Sequence, residues 1–385
     1  MAKEKQAHPK LSIIIFMIVV SVFAVAAFAL MQSKPKYVYF LQKSGNKINV
    51  VGTKIDGSDL RVVVEGTGHE QVTNSEIDNY GVQIIGSTTL LASRDWRYLA
   101  LRTKRDDGPA KLYIVNTRTD ELKLIDDSAS SFDFIGWQGD RFIYNATPLN
   151  QEKSSNAIKS YSLDFKSVAT IDTASGDEVF SGTYLIEDNL VYMKYRTPTP
   201  AFYKVIRGNN VPTKMSNFKN GNPENPASIT NNIYHPYNVY FTYYANPGLG
   251  SFEYQQGNIH DTSVDEANQQ PYHVYISSPN DEKTAWVDDS GNMNKLYVGN
   301  RDGVNGSLIA EMPKDYKIYG WLGRKTLIIQ TSSSPDADNG PALYSMDTEN
   351  GELKFISAYL PANKNYNNAM AGYPGAGYGY GGTFY

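Results

Sequence analysis

The sequence predicts an all-β protein, a seven-bladed β-propeller of four-stranded blades behind a single N-terminal transmembrane helix. Three observations carry that expectation: an internal repeat near 46 residues, 29 tyrosines among 385 residues with few helix-periodic segments, and one isolated apolar run near the N-terminus. Aromatic and β-branched residues suit a pleated, half-buried surface, so the tyrosine count favours strands.

The repeat is legible in the residues themselves. Lys111-Leu112-Tyr113 returns as Lys295-Leu296-Tyr297 after 184 residues, four times 46, and Leu343-Tyr344 follows 47 residues after Leu296-Tyr297. Residues 112–125 (LYIVNTRTDELKLI) and 343–356 (LYSMDTENGELKFI) agree at seven of fourteen positions. Each copy places apolar residues around a polar turn, Thr119-Asp120 in one and Asn350-Gly351 in the other, which is hairpin chemistry.

Seven strand pairs follow along the chain: 37–41 with 48–51, 98–101 with 112–115, 142–144 with 158–163, and 190–195 with 202–206; then 239–244 with 252–254, 285–287 with 296–298, and 327–330 with 343–346. One more strand on each side gives four per unit, a propeller-blade length of about 40 to 45 residues. Six blades is the alternative count, because units one, four and five lack a clear turn signal. A lone blade cannot bury both of its faces, whereas radial neighbours cover one another. The first unit opens at Tyr37 in what should be its second strand. A segment between Ala358 and Met370 is therefore expected to supply the missing innermost strand and latch the ring.

The apolar run from Leu11 to Met31 holds 21 residues without charge, with Ser12 and Ser21 its polar members. At about 1.5 Å per residue it is long enough to cross a hydrocarbon layer of about 30 Å. Lys3, Lys5 and Lys10 precede it with Glu4, and Lys34 and Lys36 follow, a bias toward a cytoplasmic N-terminus. The chain then divides into a cytoplasmic segment 1–10, a span 11–31 whose partner is the lipid bilayer, a linker 32–36, a propeller 37–370 and a tail 371–385. Ala24-Val25-Ala26 and Ala27-Phe28-Ala29 also fit a signal-cleavage pattern, which would release a secreted protein. Either reading places the propeller outside the cytoplasm.

Composition narrows the chemistry. The absence of cysteine removes disulfides, thiolate ligands and cysteine nucleophiles together. A net charge of −4 with intermixed signs gives no basic stripe, so nucleic acid is not an expected partner. No G-x-S-x-G elbow, H-E-x-x-H pair or P-loop occurs. His8, His69, His235, His260 and His273 are scattered, and His260-Asp261 with His273 is the nearest approach to a metal set. Asp106-Asp107, Asp288-Asp289 and the stretch 336–340 read as solvated turns, the last lacking the distal glutamate of a calcium loop. No catalytic residue, metal or cofactor is expected.

The candidate partner-contact residues are Tyr234, Tyr237, Tyr240, Tyr243 and Tyr244, in the densest aromatic stretch of the chain. Tyrosine offers rigid amphipathic contact area, while a strand pressed between blades would explain the same residues. Two polar segments, 208–232 and 245–270, flank them and are expected to be long loops. The tail 371–385 carries six glycines and four tyrosines without charge, so it is either an adhesive or an inert extension.

A family resemblance sits in the turns. Residues 93–100 (SRDWRYLA), 137–144 (WQGDRFIY) and 278–286 (SPNDEKTAW) resemble the Ser-Pro-Asp-Gly-Lys-x-Leu-Ala-Phe element of TolB-like propellers and of oligopeptidase propeller domains. Residues 347–353 (DTENGEL) are similar to the Asp-x-x-Thr-Gly-Glu-Leu turn of the same families. Trp96 departs from the pattern, standing where glycine is usual. The likeness covers roughly residues 37 to 357 and implies the propeller fold. The α/β-hydrolase half of the oligopeptidases has no counterpart in these 385 residues, so peptidase activity does not follow. The expected function is a binding or scaffold module for a protein or cell-envelope partner, rather than an enzyme. The alternatives are an envelope polysaccharide hydrolase or lyase, which needs paired carboxylates in the propeller funnel, and a TolB-like periplasmic translocation component.

Overall fold

The computed structural model of the chain describes residues 37–70, 75–77, 82–150, 156–186, 189–195, 201–217, 229–235, 238–245, 248–255, 258–262, 273 and 275–359, together with Met17 and Ser21. The apolar run 11–31 lies outside the described residues apart from Met17 and Ser21, both helical, with the Ser21 hydroxyl donating to the Met17 carbonyl at 2.8 Å. No helix among the described residues is long and apolar enough to cross a membrane. The unit that begins at Tyr37 is built from strands and one 3-10 turn, Pro335–Ala337.

Every sheet is an antiparallel meander in sequence order. The first holds β1 (Tyr37–Ser44), β2 (Lys47–Lys54) and β3 (Arg61–Val64). The second holds β4 (Ser75–Ile77), β5 (Gln83–Ile85), β6 (Thr88–Ala92), β7 (Tyr98–Thr103), β8 (Lys111–Asn116) and β9 (Glu121–Asp126). The third comprises β10 (Ala129–Gln138), β11 (Arg141–Pro148), β12 (Ala157–Ser162) and β13 (Ser167–Thr173), and the fourth β14 (Val179–Ile186), β15 (Asn189–Tyr195), β16 (Ala201–Val205) and β17 (Thr213–Asn217). The fifth comprises β18 (Ile229–His235), β19 (Asn238–Ala245), β20 (Gly248–Gln255) and β21 (Asn258–Thr262). The sixth runs through β22 (Tyr275–Ser277), β23 (Lys283–Asp288), β24 (Asn294–Asn300) and β25 (Ser307–Met312); the seventh through β26 (Lys317–Leu322), β27 (Thr326–Ser334), β28 (Gly340–Asp347) and β29 (Leu353–Ala358).

All seven strand pairs read from the repeat are present, each inside its own sheet. Among the described residues six sheets, the second to the seventh, contain a four-stranded blade, so the chain is a β-propeller with the lower of the two blade counts, and a seventh four-stranded blade is not formed there. The first sheet stops at three strands among the described residues because the chain opens in a second-strand position. Two further expectations are corrected. The segments 208–232 and 245–270 are not structureless loops: β17 and the start of β18 occupy the first, and the second holds β21 as well as β20, whose core 252–254 the strand pairs had included. Main-chain ladders hold a polar strand as well as an apolar one, and Asn, Gly and Gln at its positions hid it from a periodicity argument.

Burial follows the radial arrangement. Leu99 and Leu101 of β7 pack with Val38, Phe40 and Leu41 of the first sheet and with Ile328, Leu343 and Ile356 of the seventh. Ala100, on the alternate side of β7, joins Phe132, Phe142 and Tyr144 of the third sheet. Ile143 and Ile158 of the third sheet meet Leu190, Tyr192 and Val205 of the fourth. A strand covered on both sides reads as nearly continuous apolar residues, as in β7 and β11. Each fully buried side chain of this kind contributes about 1.5–3 kcal/mol.

Among the described residues, the first and seventh sheets meet without a regular strand between them. The inner edge of β1 presents main-chain groups at Tyr39, Leu41 and Lys43, and each finds an irregular partner. The Tyr319 hydroxyl donates to the Tyr39 carbonyl at 3.0 Å, and the Gln83 amide accepts from the Leu41 N–H at 2.5 Å and donates to the Leu41 carbonyl at 3.1 Å. The Lys43 N–H donates to the Tyr359 carbonyl at 3.1 Å. Of the segment expected to supply the innermost strand, 358–370, Tyr359 gives the β1 edge this one main-chain bond, and 360–370 lie outside the described residues.

Candidate functional site

An antiparallel meander puts its turns alternately at two ends, so the ring has two distinct faces. One, here the turn face, carries the first-to-second and third-to-fourth strand turns of each blade. The other, the connection face, carries the second-to-third loops and the links between sheets. The first sheet fits the same scheme, since Arg61 at the end of its β2–β3 turn reaches Asp120 of the β8–β9 turn at 2.5 Å.

On the turn face, the inner turns of the second and sixth sheets share one build. The Ser93 hydroxyl donates to Asp95 at 2.8 Å and accepts from the Tyr98 N–H at 3.1 Å; the Ser278 hydroxyl donates to Asn280 and accepts from the Lys283 N–H, both at 3.0 Å. Trp96 and Asp281 occupy matching left-handed positions, φ 60° and 55°. The two turns meet in space, where Arg94 pairs with Asp281 at 2.7 Å, and Arg324 of the seventh sheet lies 3.7 Å from Glu282. The charged groups of these turns thus neutralise one another.

Trp96 has a further role. It is buried, its indole N–H donates to the Trp321 carbonyl at 2.6 Å, and its ring meets Tyr319 edge-on at 5.7 Å. Gly320 makes the approach possible, because a Cβ there would stand 3.2 Å from the indole ring. A turn of the second sheet therefore reaches the seventh where, among the described residues, the first sheet has no inner strand.

The third and fourth sheets hold a denser polar cluster. Arg141 is buried, and its guanidinium donates to the Asn209 carbonyl at 2.8 Å, to the Ser160 hydroxyl at 2.9 Å and to Asn210. Burial lowers its affinity for the proton, against the favourable charge of Asp140. Asp140 shares a hydrogen bond with Asp164, which raises the Asp164 carboxyl above its usual range.

A second device repeats from sheet to sheet and escaped the sequence reading. Asp126, at the end of β9, accepts from the Tyr144 hydroxyl at 2.8 Å and from Lys159 at 2.8 Å. Asp172, near the end of β13, accepts from the Tyr192 hydroxyl at 2.7 Å and from Lys194 at 3.1 Å. Each ties an outer strand to the next sheet. An aspartate closing the fourth strand with a tyrosine in the following second strand was the available signal. Burial opposes ionisation of Asp126, but the hydrogen bonds from Lys159, Ser128 and Tyr144 outweigh it and hold the carboxyl below the usual range.

The sequence-predicted tyrosines are divided by the fold. Tyr234 lies near the turn-face end of β18, while Tyr243 and Tyr244 lie at the connection-face end of β19, with Tyr240 between. Tyr237 lies outside the described residues. Asn238, at the β19 end beside Tyr234, and Tyr244 are six residues and so about 20 Å apart along the strand, so the described tyrosines of the set do not form one patch. Backbone register sets Tyr240 opposite Asn232, and Tyr243 opposite Ile229 and Gly250. Among the described residues no group of three His, Asp or Glu side chains could hold a metal ion. The acidic stretches serve their own turns: Asp106 pairs with Lys111 at 2.5 Å, Asp288 accepts from the Ser290 N–H at 3.0 Å, and Asp336 accepts from the Tyr344 hydroxyl at 2.8 Å.

No protein-family model matches the chain, and no curated protein matches it. Solved structures do. The β-propeller domain of the Trilobed protease from Pyrococcus furiosus is similar at a TM-score of 0.50 and 11% identity, over 85% of this chain and 96% of that one. A prolyl endopeptidase gives 0.49 and 11% over 86% of this chain and 50% of its own, and TolB from Acinetobacter baumannii 0.34 and 13% over 72% and 65%. At such identities the likeness to the Pyrococcus domain is one of architecture, and on it and the sheet topology together the chain is a β-propeller.

Proposed function

We propose that this protein is a membrane-tethered, extracytoplasmic β-propeller that binds a protein or cell-envelope partner through its connection face. The observation that carries the reading is the direction of the chain. β1 begins at the turn face with Tyr37, whereas β29 ends at the connection face with Ala358, followed by Tyr359. In this reading the tether, residues 11–31, joins the chain at the face opposite the one assigned to partner contact. The connection face is also where β17 leads into β18 and β21 into β22, the links 218–228 and 263–274. Tyr243 and Tyr244 stand beside it and are the members of the tyrosine set assigned to partner contact.

The test uses the full chain in its native membrane, with photo-crosslinkers at Leu149 and Met293, exposed loop residues of the connection face, and at Leu124 on an outer strand. Capture of the same partner from 149 and 293 but not from 124 supports the reading. Indiscriminate or absent capture defeats it, as would release of unsaturated or shortened sugars from envelope polysaccharide by the purified chain.

A further inference from the structure

The turn face has a property that partner binding at the opposite face does not use. Large apolar side chains stand exposed on its third-to-fourth strand turns in four sheets: Ile55 and Leu60 in the first, Phe165 in the third, Ile206 and Val211 in the fourth, and Val304 in the sixth. Phe165 is 83% exposed and Val211 64%. On the loops of the connection face, among the described residues, exposed large apolar side chains are confined to Leu149 and Met293.

The chain enters the ring on this same face. Five residues, Gln32 to Lys36, separate the apolar run from Tyr37. Fully extended they reach at most about 18 Å, and a headgroup layer takes up roughly 5–8 Å of that. A bilayer holding residues 11–31 would therefore lie no more than about 10–13 Å from where β1 begins.

Three ion pairs of the face suit such contact, and the hydrogen-bonded Asp140–Asp164 pair lies next to Phe165. Arg61 pairs with Asp120 at 2.5 Å, Arg94 with Asp281 at 2.7 Å, and Lys325 with Glu349 at 2.5 Å. Paired charges lose less on partial removal from water than lone ones, and the mixed signs favour no particular headgroup charge. Apolar side chains then supply the attraction, as in other interfacial contacts that sink about 5–10 Å into the headgroup boundary.

We propose that the turn face rests on the lipid surface, with Phe165, Val211 and their counterparts set into the headgroup boundary. The proposal rests on the tethered reading given above, and its occupant is lipid rather than a second protein. The linker limits the separation, and the apolar turns supply the contact.

The chain has no cysteine, so single cysteines report cleanly. Full-length protein carrying Phe165→Cys, Val211→Cys, Leu149→Cys or Met293→Cys is labelled with a fluorophore and reconstituted in phosphatidylcholine vesicles containing a lipid-borne quencher. Labels at 165 and 211 are expected to be quenched from the lipid and to lose accessibility to aqueous iodide, while those at 149 and 293 stay accessible. Equal accessibility at all four positions, with the chain still held in the membrane after alkaline extraction, overturns the docking and leaves the tether standing. Release of the chain by alkaline extraction overturns both. Shielding of 165 and 211 that appears in native membranes but not in pure lipid assigns the face to a protein and also overturns the proposal.

Discussion

The side-chain amide of Gln83 lies against the main chain of Leu41 as a piece of strand would, taking its N–H at 2.5 Å and giving to its carbonyl at 3.1 Å. Gln83 is buried, so it covers two main-chain groups that no water would reach. Together with Tyr319 and Tyr359 it closes the inner edge of β1, which a three-stranded first sheet leaves open.

Replacing Gln83 tests that role directly. Gln83→Ala leaves a buried donor and a buried acceptor unpaired, at about 1–3 kcal/mol each, so a loss of roughly 2–5 kcal/mol is expected in urea unfolding. Gln83→Glu behaves differently with pH. Its protonated carboxyl can reproduce both bonds while its carboxylate cannot, and burial raises its folded pKa above the unfolded value. The stabilising form is thus present below the unfolded pKa and lost as pH rises through the folded one. The urea midpoint of Gln83→Glu should recover on acidification relative to Gln83→Ala; parallel behaviour of the two would contradict the assignment.

Trp96 holds a left-handed backbone that glycine would adopt freely, yet the indole bridges the second and seventh sheets. Trp96→Gly relieves about 1 kcal/mol of backbone strain and removes a buried ring worth about 3–5 kcal/mol. A net loss of roughly 2–4 kcal/mol is expected. Trp96→Phe, which keeps a ring and loses the hydrogen bond to Trp321, should fall between the parent and the glycine variant. A glycine variant as stable as the parent would show that the bridge contributes nothing.

Asp126 links stability to pH. Its folded pKa is depressed by Lys159, Ser128 and Tyr144 despite the opposing effect of burial. The stability it contributes is therefore present above the unfolded value, about 3.9, and disappears as pH falls through the folded value. Tyr144→Phe should cost about 1–2 kcal/mol near neutral pH, and Asp126→Asn should flatten the acid limb of the stability profile. An unchanged acid limb in Asp126→Asn would remove this carboxylate from the account.

Truncation separates the latch from the tail. A chain ending at Ser357 loses the Lys43–Tyr359 and Tyr359–Pro341 main-chain bonds, at 3.1 and 3.2 Å, and the buried Tyr359 ring. The expected loss is about 3–5 kcal/mol. A chain ending at Tyr359 keeps all three contacts. If it melts as low as the shorter one, closure depends on residues 360–385 instead.

The strand pairs, their period and their turn chemistry are all carried in the residue order. A hairpin is a local object: Thr119-Asp120 and Asn350-Gly351 bend the chain wherever it goes, and Asp120 and Gly351 do take left-handed angles, φ 57° and 71°. The residue order also exposes the first unit as short of a strand. Tertiary structure alone decided how that gap is filled, because Tyr319 meets Tyr39 across 280 residues and Trp96 meets Trp321 across 225. Packing also sets Tyr234 and Tyr244 near opposite faces and puts β17 and β21 into the polar stretches 208–232 and 245–270. No repeat encodes such partners, since the period fixes what each blade is, while radial packing of unlike neighbours fixes what each edge must find.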